Sequence, residues 1–396
     1  MKKLFLIICI LLSSVPLLSK AQDNQSVGNI PLEVVEPGAV VPQSFQKAKV
    51  LEITKDERWN SEITHSSQTI PAREQDSKLQ ILDGPEKDKV INYRINENPD
   101  TYKQWLVKGE IVVVTKNMNQ GQTEYAVVDR YRLPALGIMI VIFLAVVIFF
   151  GRLRGFTSIL GLVFTIFILL KFIVPSILHG SNPLLVTLIG SIVISVGSIY
   201  LAHGFNKRIS IAVLSTLITL VISIGMAALF VHLAKLFGLG SEEAYYLQAG
   251  YGSVLNLQGL LLSGIIIGTL GVLDDVTTSQ VASVDEIRKV HPQIEKKRLY
   301  QGGISVGKEH IASLVNTLVL AYAGASLPLF LLFVLNTAQP LWVTLNSEFV
   351  MEEIVRTLVG SISLILAVPI STVLAVTFLT RMKHDPNDKP LHNHPH

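Results

Sequence analysis

Gly271-Val272-Leu273-Asp274-Asp275-Val276-Thr277-Thr278-Ser279-Gln280-Val281-Ala282-Ser283-Val284-Asp285-Glu286 follows directly on an apolar, glycine-dotted run from about Val254 to Leu273. That run is long enough to cross a bilayer, so adjacent carboxylates fall where a membrane helix ends. If the helix continues past Leu273 at 100° per residue, Asp274, Thr278 and Asp285 share one stripe. Asp275, Ser279, Ala282 and Glu286 share the next, and Leu273, Val276, Val284 and Ile287 take the other side. The stretch therefore predicts a membrane helix that runs on as an amphipathic extension with its acids on one arc.

The composition fits such a chain. Hydrophobic residues make up 49% of the 396 residues and charged residues 16%, and the mean hydropathy is +0.48. This is the balance of a multi-pass membrane protein rather than of a soluble domain. The net charge of +3 is small and its basic residues are dispersed between apolar runs, which argues against a nucleic-acid partner. The one cysteine, Cys9, lies in an N-terminal apolar run preceded by Lys2 and Lys3 and followed by Ser19-Lys20-Ala21, the layout of a secretory signal. Cleavage after Ala21 leaves a mature chain without thiols, which excludes disulfides, thiol catalysis and zinc-thiolate sites. An uncleaved first span is the alternative.

Residues 1–21 are thus read as a signal peptide and 22–46 as a flexible lead-in. Residues 47–132 change to short alternating pieces (Ala48 to Ile53, Lys78 to Leu82, Lys89 to Ile95, Glu110 to Thr115, Glu124 to Val128). Turn signals such as Asp83-Gly84-Pro85, Asn98-Pro99-Asp100 and Asn119-Gln120-Gly121 separate them. This predicts a small β-rich domain, a barrel or a sandwich, outside the cytoplasm. Residues 133–381 hold seven apolar runs: Leu133 to Phe150, Phe156 to Leu178, Leu184 to Ala202, Ile209 to Phe237, Val254 to Leu273, Ile311 to Leu335 and Ile354 to Leu379. Residues 382–396 read as a disordered cytoplasmic tail carrying His384, His392, His394 and His396.

The loops orient the bundle. Arg152 and Arg154, Lys207 and Arg208, Arg288 to Lys308, and Arg381 with Lys383 occupy alternate connections, while the others lack Lys and Arg. Basic residues concentrate on the cytoplasmic side, so the β domain is expected outside and the C-terminus inside.

Polar groups at membrane depth supply the candidate site. Gly259, Gly264, Gly268 and Gly271 allow close helix approach. Gly302-Gly303-Ile304-Ser305-Val306-Gly307-Lys308-Glu309-His310 comes near a phosphate-binding loop, but Glu309 stands where a hydroxyl would hold magnesium and no strand precedes it. It reads instead as a glycine-hinged entry to the sixth run, with Glu309, Ser313, Asn316 and Thr317 on one stripe and Lys308 placed to neutralise one of the two aspartates. The candidate ion or solute site is Asp274, Asp275, Thr278, Glu309 and Asn316, supported by Gly268, Gly271, Lys308, Asp285 and Glu286. No catalytic residue, cofactor or defined metal ligand set is assigned.

The run Gly268 to Gln280, followed by Asn316-Thr317-Leu318-Val319-Leu320-Ala321-Tyr322-Ala323-Gly324-Ala325-Ser326-Leu327-Pro328-Leu329, resembles the YibE/F family of bacterial multi-pass membrane proteins. Ile81-Leu82-Asp83-Gly84-Pro85 and Val128-Asp129-Arg130-Tyr131-Arg132 are similar too, so the likeness extends from about Lys47 to Met382. Gly307-Lys308-Glu309-His310 keeps the family's basic-acidic order. The resemblance implies a bacterial cytoplasmic membrane location and supplies no activity.

Three functions compete. A transporter or permease for a small ion or solute is favoured by buried carboxylates beside hydroxyls on glycine-hinged helices. A non-catalytic scaffold or sensor would use the external β domain to bind a partner. An intramembrane enzyme would need two converging carboxylates, and neither Gly271-Val272-Leu273-Asp274 nor the run after it matches a catalytic spacing. The expected surroundings are the lipid bilayer, with a second copy or a partner membrane protein as candidate partners.

Overall fold

The structure is a computed structural model that describes residues 44–62, 69–96, 105–119, 122–251, 255–328, 331, 335 and 339–381. The signal peptide, most of the lead-in, the Asn98-Pro99-Asp100 turn and the histidine tail lie outside the described residues. The chain divides into two units between Tyr131 and Arg132.

The first unit is an antiparallel sheet of β1 (Ser44–Glu62), β2 (Thr69–Ile81), β3 (Val90–Asn96), β4 (Ile111–Asn119) and β5 (Gln122–Arg130) in the order β3-β2-β1-β4-β5. All five expected strands form, and β1 begins three residues before the boundary read from sequence. Period-two alternation puts Ala48, Val50, Leu79, Ile81, Ile91, Val112 and Val114 on one face, where they bury one another with Leu106. Gln75 is fully buried and both its amide atoms are used, on the Leu106 carbonyl and N–H. Irregular registers at Val50/Glu52 and Ile53/Lys55 bend β1. The edge strands β3 and β5 approach each other, so the sheet curls towards a half-barrel.

Glu86 clasps that curl. It stands in the β2–β3 turn and accepts from the Tyr125 hydroxyl of β5 (2.6 Å), Lys89 (3.0 Å) and Lys116 of β4 (3.1 Å). These donors pull its carboxyl from the usual 4.5 down to about 2, with the Tyr125 hydrogen bond first among the causes.

The second unit is helical: α1 (Leu133–Ile168), a π-helical turn (Leu169–Ile173), α2 (Val174–Leu178), α3 (Pro183–His203), α4 (Lys207–Leu233), α5 (Glu242–Tyr251), α6 (Leu257–Val290), α7 (Lys296–Ala325), α8 (Leu341–Leu345) and α9 (Glu348–Leu379). Among the described residues, five helices are long and apolar enough to cross a membrane: Leu133–Leu178, Pro183–His203, Lys207–Leu233, Leu257–Val290 and Glu348–Leu379. The first is 46 residues long, about 69 Å if straight, more than twice a hydrocarbon core of roughly 30 Å. It is not straight. Arg152 adopts φ 49° and ψ −131°, and beyond it Gly155 lies against the Val147 carbonyl, eight residues back. A continuous helix would hold those residues about 12 Å apart, so the chain folds sharply at Arg152. The π-helical turn lies just before Pro175, whose missing N–H leaves a gap in the hydrogen-bond ladder that a wider turn absorbs.

Helix α6 is the hub, packed on α3, α4, α7 and α9. Leu270, Leu273 and Val276 join one buried cluster with Ile194, Leu220, Leu364 and Val368. Val281 and Val284 join another with Ile211, Leu299, Ala375 and Leu379. The helix does continue past Leu273, as expected. The apolar side of its continuation is buried against α4, α7 and α9. The outside of the unit is apolar, with Phe149, Phe150 and Leu153 each more than three-quarters exposed, a surface that water would not tolerate over this extent.

Candidate functional site

Asp274 and Asp275 stand one residue apart on α6 and so point 100° apart. Asp275 is exposed, whereas Asp274 is partly buried against α3. Ser198 donates its hydroxyl to Asp274 Oδ2 at 3.2 Å and Ser195 to Oδ1 at 3.5 Å. A carboxylate inside an apolar bundle needs such donors, and among the described residues no ion pair reaches it.

Helices α3 and α6 run side by side in the same direction, with Pro183 against Gly259 at one end and Ser195 and Ser198 against Asp274 at the other. Thr187, Ser191, Ser195 and Ser198 form one stripe of α3 at spacings of four, four and three. Thr187, Ser191 and Ser195 have no exposed surface. Buried helical hydroxyls normally donate to the carbonyl four residues back, as Ser215, Thr219, Ser223, Ser263, Thr269 and Ser363 do. Thr187 and Ser191 do not, nor do Ser361 and Ser371 of α9, and the hydroxyls of all four find no partner among the described residues.

The other candidates separate. The Thr278 hydroxyl donates to the carbonyls of Asp274 and Asp275 on its own helix (2.8 and 3.1 Å), so it is spent on the backbone. Asp285 and Glu286 belong to a different set, with Lys289 at 3.0 and 3.2 Å and Arg208 at 3.9 Å from each. Lys308, Glu309 and Asn316 are exposed on α7, and no ion pair joins Lys308 to either aspartate among the described residues. Gly268 and Gly271 face outwards on α6; among the described residues a Cβ on Gly268 would meet the Tyr322 hydroxyl and one on Gly271 nothing. The five candidates therefore do not form one site: Asp274 stays with α3.

The glycine-rich start of the sixth run is continuous helix rather than a hinge. Gly303 and Gly307 are buried contact points, because a Cβ on Gly303 would lie 2.8 Å from methyl groups of both Val284 and Thr372. Their neighbour is Gln280, whose Nε2 donates to the Gly303 carbonyl and to the Thr372 hydroxyl at 2.8 Å each, tying α6 to α7 and α9. The sequence reading assigned Gln280 no role. Its signal was present, since a lone amide sits between Val276 and Val284 on the buried stripe.

A second polar feature was also missed. Glu348 accepts from the backbone N–H groups of Phe237, Gly238 (2.9 Å) and Leu239 (3.3 Å), and Glu352, 5% exposed, accepts from Gly240 at 2.9 Å. Gly238 takes φ 86° with the Leu257 backbone against it, a geometry open to glycine alone. Beside this loop lies a cavity of about 640 Å³ whose walls include Glu242, Glu243, Glu352, Glu353 and Arg356. The Arg356 guanidinium pairs with Glu353. The Glu348-x-x-x-Glu352 spacing hints at a shared face, but acceptors for backbone N–H groups leave no signature in the sequence of the loop they bind.

Long apolar helices with an apolar exterior, packed around buried hydroxyls, an amide and inward carboxyls, define a multi-pass α-helical membrane protein. More particularly, the chain belongs to the YibE/F-like protein family, whose model matches residues 139–381. Neither a curated protein nor a solved structure matches the chain.

Proposed function

We propose that this protein is a permease for a small ion or solute, with Asp274 as the polar group that engages it. The observation that carries this reading is the Asp274 carboxyl set between α3 and α6 on two serine donors, in line with two buried hydroxyls that have no partner among the described residues. A carboxylate is costly at that depth, and a purely structural role would be better served by a residue that binds its own backbone, as Thr278 does. Among the described residues no group of three or more His, Cys, Asp or Glu side chains is placed to hold a metal ion. Asp275, Glu309 and Asn316 remain part of the proposal only as an outer polar rim on α6 and α7.

The proposal includes seven crossings in a bacterial cytoplasmic membrane, the sheet unit outside and the C-terminus inside. The fold at Arg152 supports separate crossings by the two parts of Leu133–Leu178, and the alternating basic connections support the orientation. A cysteine at Ser347 is then expected to react with an impermeant maleimide on intact cells, and one at Glu295 not to.

The function is tested in proteoliposomes. Imposed gradients of protons and of monovalent and divalent cations are expected to dissipate faster with wild type than with Asp274→Asn. Equal rates for both proteins under every gradient overturn the reading.

A further inference from the structure

We propose that the seam between α3 and α6 is a water-lined proton path that ends on Asp274, so the ion this site takes up is H⁺. The inference deepens the permease reading and rests on it. It starts from Thr187 and Ser191, which have no exposed surface and whose hydroxyls have no partner among the described residues. Leaving a buried hydroxyl unmade costs about 1–3 kcal/mol, and each of these had a backbone carbonyl within reach one turn back. Both instead lie on the α3 stripe whose next members, Ser195 and Ser198, donate to Asp274.

The spacing selects the ion. Hydroxyls four residues apart on a helix are separated by about 6 Å along the axis, too far for two of them to chelate one bare cation, whose oxygen ligands lie at about 2.3–2.6 Å. One water bridging two hydroxyls at about 2.8 Å each spans about 5.6 Å. The stripe from Thr187 to Ser198 is therefore pitched for alternating hydroxyls and waters over about 16 Å. Serine and threonine hydroxyls donate and accept at once, as does water, so the file passes a proton by successive O–H exchange. At its end a hydronium gives its proton to an Asp274 carboxylate oxygen and becomes water. The proton leaves from that oxygen to water at the His203 end of α3. Only O–H bonds are made and broken.

Other titratable and charged groups stand on the elements around Asp274. They include Asp275, with Asp285, Glu286, Arg288 and Lys289 further along α6, His203 at the end of α3, Arg152 and Arg154 on α1, Lys207 and Arg208 at the start of α4, and Lys308, Glu309 and His310 on α7. Arg208, Arg154 and Asp275 each lie close enough for their charges to act on His203 at the exit. The stretch of α9 from Thr357 to Leu379 carries no charged group.

Two measurements decide the proposal. In full-length protein with Cys9→Ser, Ser191→Cys and Thr187→Cys are exposed to aqueous Ag⁺ in lipid vesicles, quenched, unfolded and labelled with a fluorescent maleimide. Ag⁺ is expected to abolish labelling at either position and to spare Ile192→Cys, which neighbours Ser191 and is 41% exposed on the apolar outside. Full labelling of both seam variants after Ag⁺ overturns the proposal. The second measurement follows deuterium exchange at the protonated Asp274 carboxyl by infrared difference spectroscopy, the band being assigned by its loss in Asp274→Asn. Thr187→Val with Ser191→Ala is expected to slow that exchange by about tenfold or more, and an unchanged rate overturns the route. Gradient dissipation that depends on Asp274, together with seam variants untouched by Ag⁺, sinks the path while leaving the permease reading in place.

Discussion

The Ser198 hydroxyl of α3 donates to Asp274 of α6 at 3.2 Å, across 76 residues of sequence. Groups in direct contact are energetically coupled. A double-mutant cycle of Ser198→Ala and Asp274→Asn, read by thermal melting of the purified protein, is expected to give a coupling energy of about 0.5–3 kcal/mol. Additive losses contradict the contact.

Two glycines of α7 make opposite predictions. A Cβ on Gly303 would lie 2.8 Å from Val284 and Thr372, whereas among the described residues nothing lies within 4 Å of one on Gly324. Gly303→Ala is therefore expected to destabilise by about 1–3 kcal/mol through overpacking. Gly324→Ala is expected to be neutral or to stabilise by up to about 1 kcal/mol through helix propensity. Melting temperatures in one detergent check the order of the two variants.

The loop before α5 hangs on the start of α9. Glu348 takes three backbone N–H groups from Phe237, Gly238 and Leu239, and charged acceptors make the stronger hydrogen bonds. Glu348→Ala is expected to cost about 2–3 kcal/mol and to raise amide exchange at those three residues first. Protection unchanged there would show that the carboxylate does not hold the loop.

Glu86 gives the sheet unit a pH dependence of known sign. Its carboxyl is lowered from 4.5 to about 2 in the folded sheet, through Tyr125, Lys89 and Lys116. Its contribution is therefore present in full above the unfolded value near 4.5 and is lost as pH falls from there towards 2. Hydrogen exchange of β2 and β5 amides in the full-length protein is expected to quicken across that window. Glu86→Gln should remove most of the change, and an equally steep profile in the variant would assign it to other carboxyls.

The parts of this molecule legible from sequence are those encoded by local period. Leu273, Val276 and Val284 fell on the buried side of α6 as the 100° wheel places them, and the five strands stood where alternation put them. Asp274 was visible as an acid at membrane depth, but its grouping with Asp275, Thr278, Glu309 and Asn316 was not how the helices assemble. The wheel fixes directions on one helix and says nothing of which helix lies opposite. Asp274 meets α3, whose serines looked like ordinary small residues, while the polar stripe of α7 turns away from the bundle. Gln280 and Glu348 escaped for a related reason, since they bind backbone groups of distant elements that no side-chain pattern reports. The fold at Arg152 was legible from its charge, because an arginine does not remain in the middle of an apolar crossing.

The central claim is that Asp274 exchanges its ion with the surroundings, and linkage makes that visible in stability. The most direct measurement is the melting temperature of wild type and Asp274→Asn in lipid nanodiscs, recorded across pH at fixed ionic strength and again across cation concentration at fixed pH. The expected result is a wild-type pH profile whose shape the variant loses, with cation profiles alike in the two proteins. Superimposable pH profiles would contradict it.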